Sequence, residues 1–277
     1  MSWRARLPPP LTALLLAMAI AASAAAASAA AAPATCIPLR VGYTDQHLPP
    51  YWLGEGKDVP NPPGAGVDFI KEAAKAAGFG CAPTWVRLPA VRLPVALASG
   101  DIDMAPLGEM NAYPPAIALP HDKSGNIDLD RAVHNMVVVL VRASDKLPAG
   151  IEPMAYFKGK VLGASQGFAY TRKLRAEGLS INDGGRDLER NLEKLKLGRL
   201  DGVVVAAVAP EHLRDALARH KGAIVLLPQP LLKSRVWLAF NSGYYREHRG
   251  QAEALWNWLL ANRPRVGSML GNSRKQD

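Results

Sequence analysis

The sequence has little of what most catalytic and cofactor sites are built from. Only two of its 277 residues are cysteine and six are histidine. The histidines are scattered without the spacing of metal ligands, and no paired-cysteine motif occurs, so neither a metal nor a cofactor is expected. A Gly-x-Ser-x-Gly nucleophile elbow is missing. The turn Ser165-Gln166-Gly167-Phe168-Ala169-Tyr170 is not followed by the Gly-Lys-Ser/Thr of a phosphate loop. The formal net charge is +9, but lysine and arginine are interleaved with acids and form no dense basic run flanked by stacking aromatics. That pattern argues for a solvated surface and against nucleic acid. Beyond the first 32 residues no stretch reaches about 20 uninterrupted apolar residues, so no later membrane-spanning helix is expected.

What is present begins with Met1-Ser2-Trp3-Arg4-Ala5-Arg6, three prolines, and an uncharged run from Leu11 to Ala32 that ends in alanine and serine. A short basic segment, an apolar segment and Ala-x-Ala choices are the layout of a secretory signal peptide over residues 1–32. The competing reading is a single membrane anchor, since the run is long enough to span a bilayer. Alanine is weakly apolar and the leucines cluster at one end, which favours the leader. Its removal takes away Arg4 and Arg6 and no acid, and leaves about 240 residues, enough for one large or two modest cores. The expected location is the periplasm.

In an exported chain an isolated cysteine pair is read first as a disulfide. Cys36 precedes an expected strand at Leu39–Tyr43 and Cys81 one at Thr84–Leu88; if these lie side by side and parallel, their starts are neighbours and the bond is reasonable. The rival is a lipid-modified Cys36, but Ala34-Thr35 before it makes a poor lipobox.

Strand and helix signals alternate from there. A loop rich in proline, glycine and aromatics, Asp45 to Gly64, leads to a helix in which Val67, Ile70, Ala73, Ala74 and Ala77 share a face before Gly78. The second strand, a helix from Arg92 to Ala98 and a third strand at Ile102–Ala105 complete a β-α-β-α-β order, the pattern of a parallel sheet flanked by helices. Met136–Val141 is a β-branched run suited to a buried or crossing strand. Strands at Lys160–Ala164, Val203–Val205, Ile224–Leu227 and Val236–Phe240 follow. Helices are expected near Tyr170–Ala176, through Leu188, Leu192 and Leu195, at Glu211–His220 and at Gln251–Leu260. The spacing predicts a discontinuous first lobe, 36–139 plus 237–277, around a second lobe, 140–236; two crossings make a hinge.

In order and spacing the chain resembles the extracellular solute-binding proteins of family 3, bilobed receptors for polar amino acids. The residues that carry this are Val41-Gly42-Tyr43 leading to Pro49-Pro50-Tyr51, Gly64-Ala65-Gly66-Val67-Asp68, Leu88-Pro89-Ala90-Val91-Arg92 with Ser99-Gly100-Asp101-Ile102-Asp103, Gly159–Gly163, and Leu195-x-x-Gly198-Arg199-Leu200-Asp201. The resemblance implies an α/β fold, a two-lobed periplasmic-binding-protein type II clamp in which each lobe is a mainly parallel sheet flanked by helices. It implies a monomer that takes a small polar solute to an inner-membrane ABC permease. Members typically hold the ligand carboxylate with an arginine shortly after the third strand and the ammonium with an aspartate after Gly-Arg-x-Asp. Here the first stretch reads Pro106-Leu107-Gly108-Glu109-Met110-Asn111 with no arginine, and the second position is Ala206. The usual zwitterion pair is absent.

Ligands of open parallel sheets sit beyond the C-terminal strand ends. That selects Tyr43, Asp45, Tyr51 and Trp52 after the first strand, with loop packing as the alternative for Tyr51 and Trp52. Arg92 offers a fork for a carboxylate or phosphate, or else is a solvated arginine. Gly108 and Glu109 follow the third strand, where Glu109 either faces a cationic group or lies exposed on the rim. Gln166, Gly167 and Tyr170 lie between a strand and a helix, where backbone N–H groups can face an anion. The competing function is a periplasmic dehydratase of prephenate or arogenate type on the same fold, with Glu109 as first suspect for its acid or base.

Overall fold

Two strands of ten residues organise the chain. The computed structural model describes residues 36–271 apart from Asn111 and Ala149; the leader expected over 1–32 and the segment 272–277 lie outside the described residues. The described chain opens with β1 (Arg40–Thr44), α1 (Ala65–Ala76), β2 (Thr84–Leu88), α2 (Leu93–Ser99), β3 (Met104–Gly108) and the short β4 (Ile117–Ala118). The first long strand, β5 (Val133–Arg142), then leads to α3 (Pro153–Tyr156), β6 (Val161–Ser165), α4 (Tyr170–Ala176), β7 (Ser180–Gly185), α5 (Leu188–Lys196), β8 (Gly202–Ala207), α6 (Arg214–Arg219) and β9 (Ile224–Leu226). The second long strand, β10 (Leu232–Asn241), returns the chain to α7 (Ser242–Glu247), α8 (Arg249–Asn262) and α9 (Val266–Gly271).

The strand order is β2-β1-β3-β10-β5-β8-β6-β7. On one side β1 is parallel to β2 and β3, and on the other β6 is parallel to β7 and β8. The long strands join the two sides. β10 pairs antiparallel with β3 from Val236 to Phe240 and with β5 from Leu232 to Val236, while β5 pairs with β8 from Met136 to Leu140. The expected strand at Val236–Phe240 thus begins earlier, at Leu232, because Lys233, Ser234 and Arg235 alternate along a ladder without apolar residues to mark it. β7 was not expected from its sequence, Ser-Ile-Asn-Asp-Gly-Gly; it pairs only with β6 at the sheet edge, where strand propensity matters least.

The apolar clusters divide the same way. Val41, Phe69, Ile70, Phe79, Phe240 and Trp256 centre one cluster beneath α1 and α8, and Leu97, Ile102, Leu107 and Trp237 another on the opposite face of the same strands. These form the first lobe. The second lobe has a cluster around Leu140, Leu192, Leu195 and Val203, and another around Val139, Phe157, Leu162 and Leu174. Local chemistry agrees with local structure. In α1 the stripe Val67, Ile70, Ala73 and Ala74 is buried, with Asp68 in the first turn and Lys75 in the last, complementing the helix dipole. In α5 Asp187 caps the start by accepting the Arg190 N–H at 2.8 Å, and Leu188, Leu192 and Leu195 face inward.

Cys36 and Cys81 are joined by a disulfide with a Cα–Cα distance of 4.8 Å. The starts of β1 and β2 are neighbours, Arg40 opposite Thr84 in parallel register, and Ile37 donates to the Phe79 carbonyl at 2.8 Å. Asp103, 5% exposed, accepts from the Arg40 backbone N–H at 2.7 Å and from its guanidinium at 2.5 and 3.0 Å, which ties β1 to the approach of β3. No helix among the described residues is long and apolar enough to cross a membrane.

Candidate functional site

A cleft of about 620 Å³ lies where the parallel strands of both lobes end. Thr44 at the end of β1, Gly108 and Glu109 at the end of β3, Gln166 just after β6 and Ala206 and Ala207 at the end of β8 all line it. Asn135 and Ser234, opposite each other on β5 and β10, supply lining from the crossing strands. Loop positions beyond carboxyl strand ends are where open α/β sheets place ligands, because neighbouring connections diverge there and leave space.

Close approaches fix the walls. The Trp52 ring lies against Gly66, where a Cβ would come within 2.5 Å of the indole, so α1 must start with a residue lacking a side chain there. Gly167 adopts φ +87°, and a Cβ on it would meet the Val91 Cγ1 at 2.9 Å and backbone N at 3.1 Å. Only glycine meets both demands, where the turn after β6 packs against Ala90 and Val91 just before α2. Glu109 is held by its backbone: its N–H donates to the Arg235 carbonyl at 3.2 Å. The Tyr113 hydroxyl donates to the Gly108 carbonyl at 2.9 Å and accepts the Met110 N–H at 3.2 Å. Burial pushes the Tyr113 phenol up to about 12, keeping it the neutral donor this turn requires.

Polar bridges cross the cleft. Gln46 donates to the Gln166 carbonyl at 2.8 Å, and Asp45 faces Arg186 at 3.6 Å. The Tyr51 hydroxyl accepts the Val208 N–H at 2.8 Å and lies 2.8 Å from His212 Nδ1, whose Nε2 is 3.0 Å from the Gly267 carbonyl. A carbonyl only accepts, so Nε2 carries the hydrogen and Tyr51 donates to Nδ1. Burial lowers the His212 pKa, opposed by the Gly267 hydrogen bond and nearby Glu211, and burial raises that of Tyr51.

Among solved structures, the ligand-binding core of GluR0 from Nostoc punctiforme, in complex with L-glutamate, matches with a TM-score of 0.61 at 18% identity, covering 84% of this chain and 97% of that one. Arginine-bound truncated ArgBP from T. maritima matches with a TM-score of 0.59 at 17% identity, covering 80% and 96%. The VFT2 domain of BvgS from Bordetella pertussis matches at 0.61 and 15%, covering 86% and 93%. This chain has the fold of the two-lobed solute-binding clamps. No protein-family model and no curated protein matches the sequence.

Within the clamp, seven of the ten expected ligand residues line the cleft: Tyr51, Trp52, Gly108, Glu109, Gln166, Gly167 and Tyr170. Tyr170 is half-buried, its ring 5.7 Å from that of Phe168 and its phenol pKa raised by desolvation. Gln166 spends its backbone N–H on the Gly185 carbonyl at 3.1 Å. Tyr43, Asp45 and Arg92 lie outside the lining. Tyr43 shares a strand face with Val41 and packs between Trp52 and the Arg87 guanidinium, 5.4 Å from its ring. Arg87 in turn donates to the carbonyls of Gly54 and Asp58, so this group secures the long loop. Asp45 bridges to Arg186. Arg92 ends a 3₁₀ turn, Ala90–Arg92, that presents Ala90 and Val91 to the cleft and leaves the arginine exposed. Sequence reasoning passed over Asn135, Ser234 and Arg172. Asn135 and Ser234 carried no readable signal, because both precede the apolar runs that marked their strands.

Proposed function

We propose that this chain is an exported solute-binding protein that captures a small solute in the cleft and presents it to an inner-membrane ABC permease. In this reading residues 1–32 direct export to the periplasm, the lobes are 36–139 plus 237–277 and 140–236, and their joint strands act as the hinge. The observation that carries it is the cleft itself, lined at the ends of β1, β3, β6 and β8, with β5 and β10 the strands among the described residues that join the two sides of the sheet. Segments that cross twice let one lobe rotate against the other while each core stays intact. The shared fold with proteins solved bound to glutamate and arginine supports a binding role.

Thermal unfolding of the mature protein with amino acids, amines, organic acids and small phosphates tests this. A solute at about 100 times its Kd stabilises by about 2.7 kcal/mol, a shift of roughly 5–10 °C for a chain of this size. The expected result is such a shift with the solute recovered unchanged by NMR. Failure of every solute at millimolar concentration contradicts the proposal. Consumption of prephenate or arogenate would instead establish the dehydratase.

A further inference from the structure

The cleft is unlike a zwitterion site in its walls, its charge and its unmet hydrogen bonds. Val91 and Val95 line it and are 58% and 62% exposed, and Trp52, Phe69, Met110 and Phe168 continue the apolar wall. A solute without apolar surface leaves these side chains wet when the lobes meet. Ala206, also in the lining, offers no charge to an ammonium.

The charged groups favour an anion. Glu109 lies 3.8 Å from Lys173 and 3.9 Å from Arg235, and Arg175 is paired with Asp183 at 2.9 Å. Arg172, in the lining and exposed, has no side-chain partner among the described residues. In the lining itself Arg172 and Arg175 stand against Glu109 and Asp183, while Lys173 and Arg235 approach Glu109 from outside it, so the lining charge left without a counter-charge among the described residues is Arg172. Yet two acceptors lack donors: Glu109 Oε2 and Asn135 Oδ1 are buried without a hydrogen bond. Both distances from Glu109 to its cations are too long for hydrogen bonds, so its charge is balanced while its lone pairs are not. An ammonium brought to it would stand within a few ångströms of Lys173 and Arg235 and be repelled. A hydroxyl supplies the hydrogen without the charge.

We infer that the cleft selects a small carboxylate with an apolar body and a neutral hydroxyl donor, a 2-hydroxy acid in chemical class, over the α-amino acid of the same skeleton. Its carboxylate pairs with Arg172, its hydroxyl faces Glu109 or Asn135, and its body covers Val91 and Phe168. The inference rests on the solute-binding reading above.

The test is calorimetric titration of the mature protein with matched probes: L-phenyllactate against L-phenylalanine, and L-2-hydroxyisocaproate against L-leucine, with L-arginine and L-glutamate alongside. The expected result is that at least one hydroxy acid binds at least about tenfold more tightly than its amino counterpart. Arg172→Ala should weaken that hydroxy acid about tenfold or more without lowering Tm, and Glu109→Gln, which keeps an acceptor and removes the negative charge, should retain it within a few-fold. Equal or tighter binding of any of the four amino acids overturns the inference and leaves the receptor intact. Binding of none of the six probes also overturns it; if the wider solute set of the thermal experiment fails too, the receptor reading falls with it.

Discussion

The two lobes share a plan and differ in filling. Each sets three parallel strands beside one antiparallel crossing strand. The first lobe, however, contains Trp237, Trp256, Tyr43, Phe79 and Phe240 among its largest fully buried side chains, whereas Phe157 is the one such aromatic in the second. The first also holds the disulfide and the ion pair of the exposed Arg40 with the buried Asp103. Bulky aromatics bury more area per residue and a cross-link restricts the unfolded chain, so the first lobe is the more heavily stabilised of the two and, in the proposed clamp, the base. Moving elements are drawn from the less stable end of a structure.

The sharpest way to break this comparison is to empty each core in turn. Trp256 is fully buried, and its indole donates to the Leu238 carbonyl at 2.8 Å. Trp256→Ala should destabilise the first lobe by up to about 5 kcal/mol, through the cavity and the orphaned carbonyl. Leu192→Ala, in the second lobe, should cost about 3 kcal/mol. Denaturant unfolding measures both, and amide exchange on β8 against β3 should show β8 opening at the lower free energy. Replacing Cys36 and Cys81 by alanine opens a loop of sequence separation 45 and should cost roughly 4 kcal/mol, again read in denaturant. If that loss appears in the β8 amides rather than in those of β3, the division between lobes is wrong.

The smallest effect concerns the link between them. His212 in the folded protein has a pKa below its ordinary 6.5, chiefly through burial. The unfolded chain therefore binds the proton first, and stability present above pH 6.5 is lost as pH falls through the folded value. His212→Gln should flatten the dependence of stability on pH below about 6.5. An unchanged slope would show that the Tyr51–His212–Gly267 contact is not protonation-sensitive.

Much of this architecture was legible in the chain. Helical apolar periods marked α1 and α5, short strand-forming runs marked β1 and β2, and the cysteines just before those runs anticipated neighbouring strand starts. The first half of β10 and all of β7 were not legible, one because Lys233, Ser234 and Arg235 break its apolar run, the other because an edge strand needs no apolar alternation. At the site, strand-end reasoning located Glu109 and Gln166, but not which residues of a turn face inward. Val91 lines the cleft in place of Arg92, and a 3₁₀ turn decided that. Asn135 and Ser234 meet only through the register of two strands far apart in sequence.

The central claim is that solute enters and leaves by separation of the lobes. A Cβ at Gly108 would stand 3.4 Å from that of Ala169, near the roughly 3.8 Å a disulfide spans, and the two positions belong to opposite lobes. The direct measurement is solute exchange by the Gly108→Cys/Ala169→Cys variant, oxidised and reduced, using any solute that raises the Tm of the reduced form. Exchange should stop when the cross-link forms and resume when it is reduced. Equally fast exchange by the fully oxidised protein would contradict the clamp.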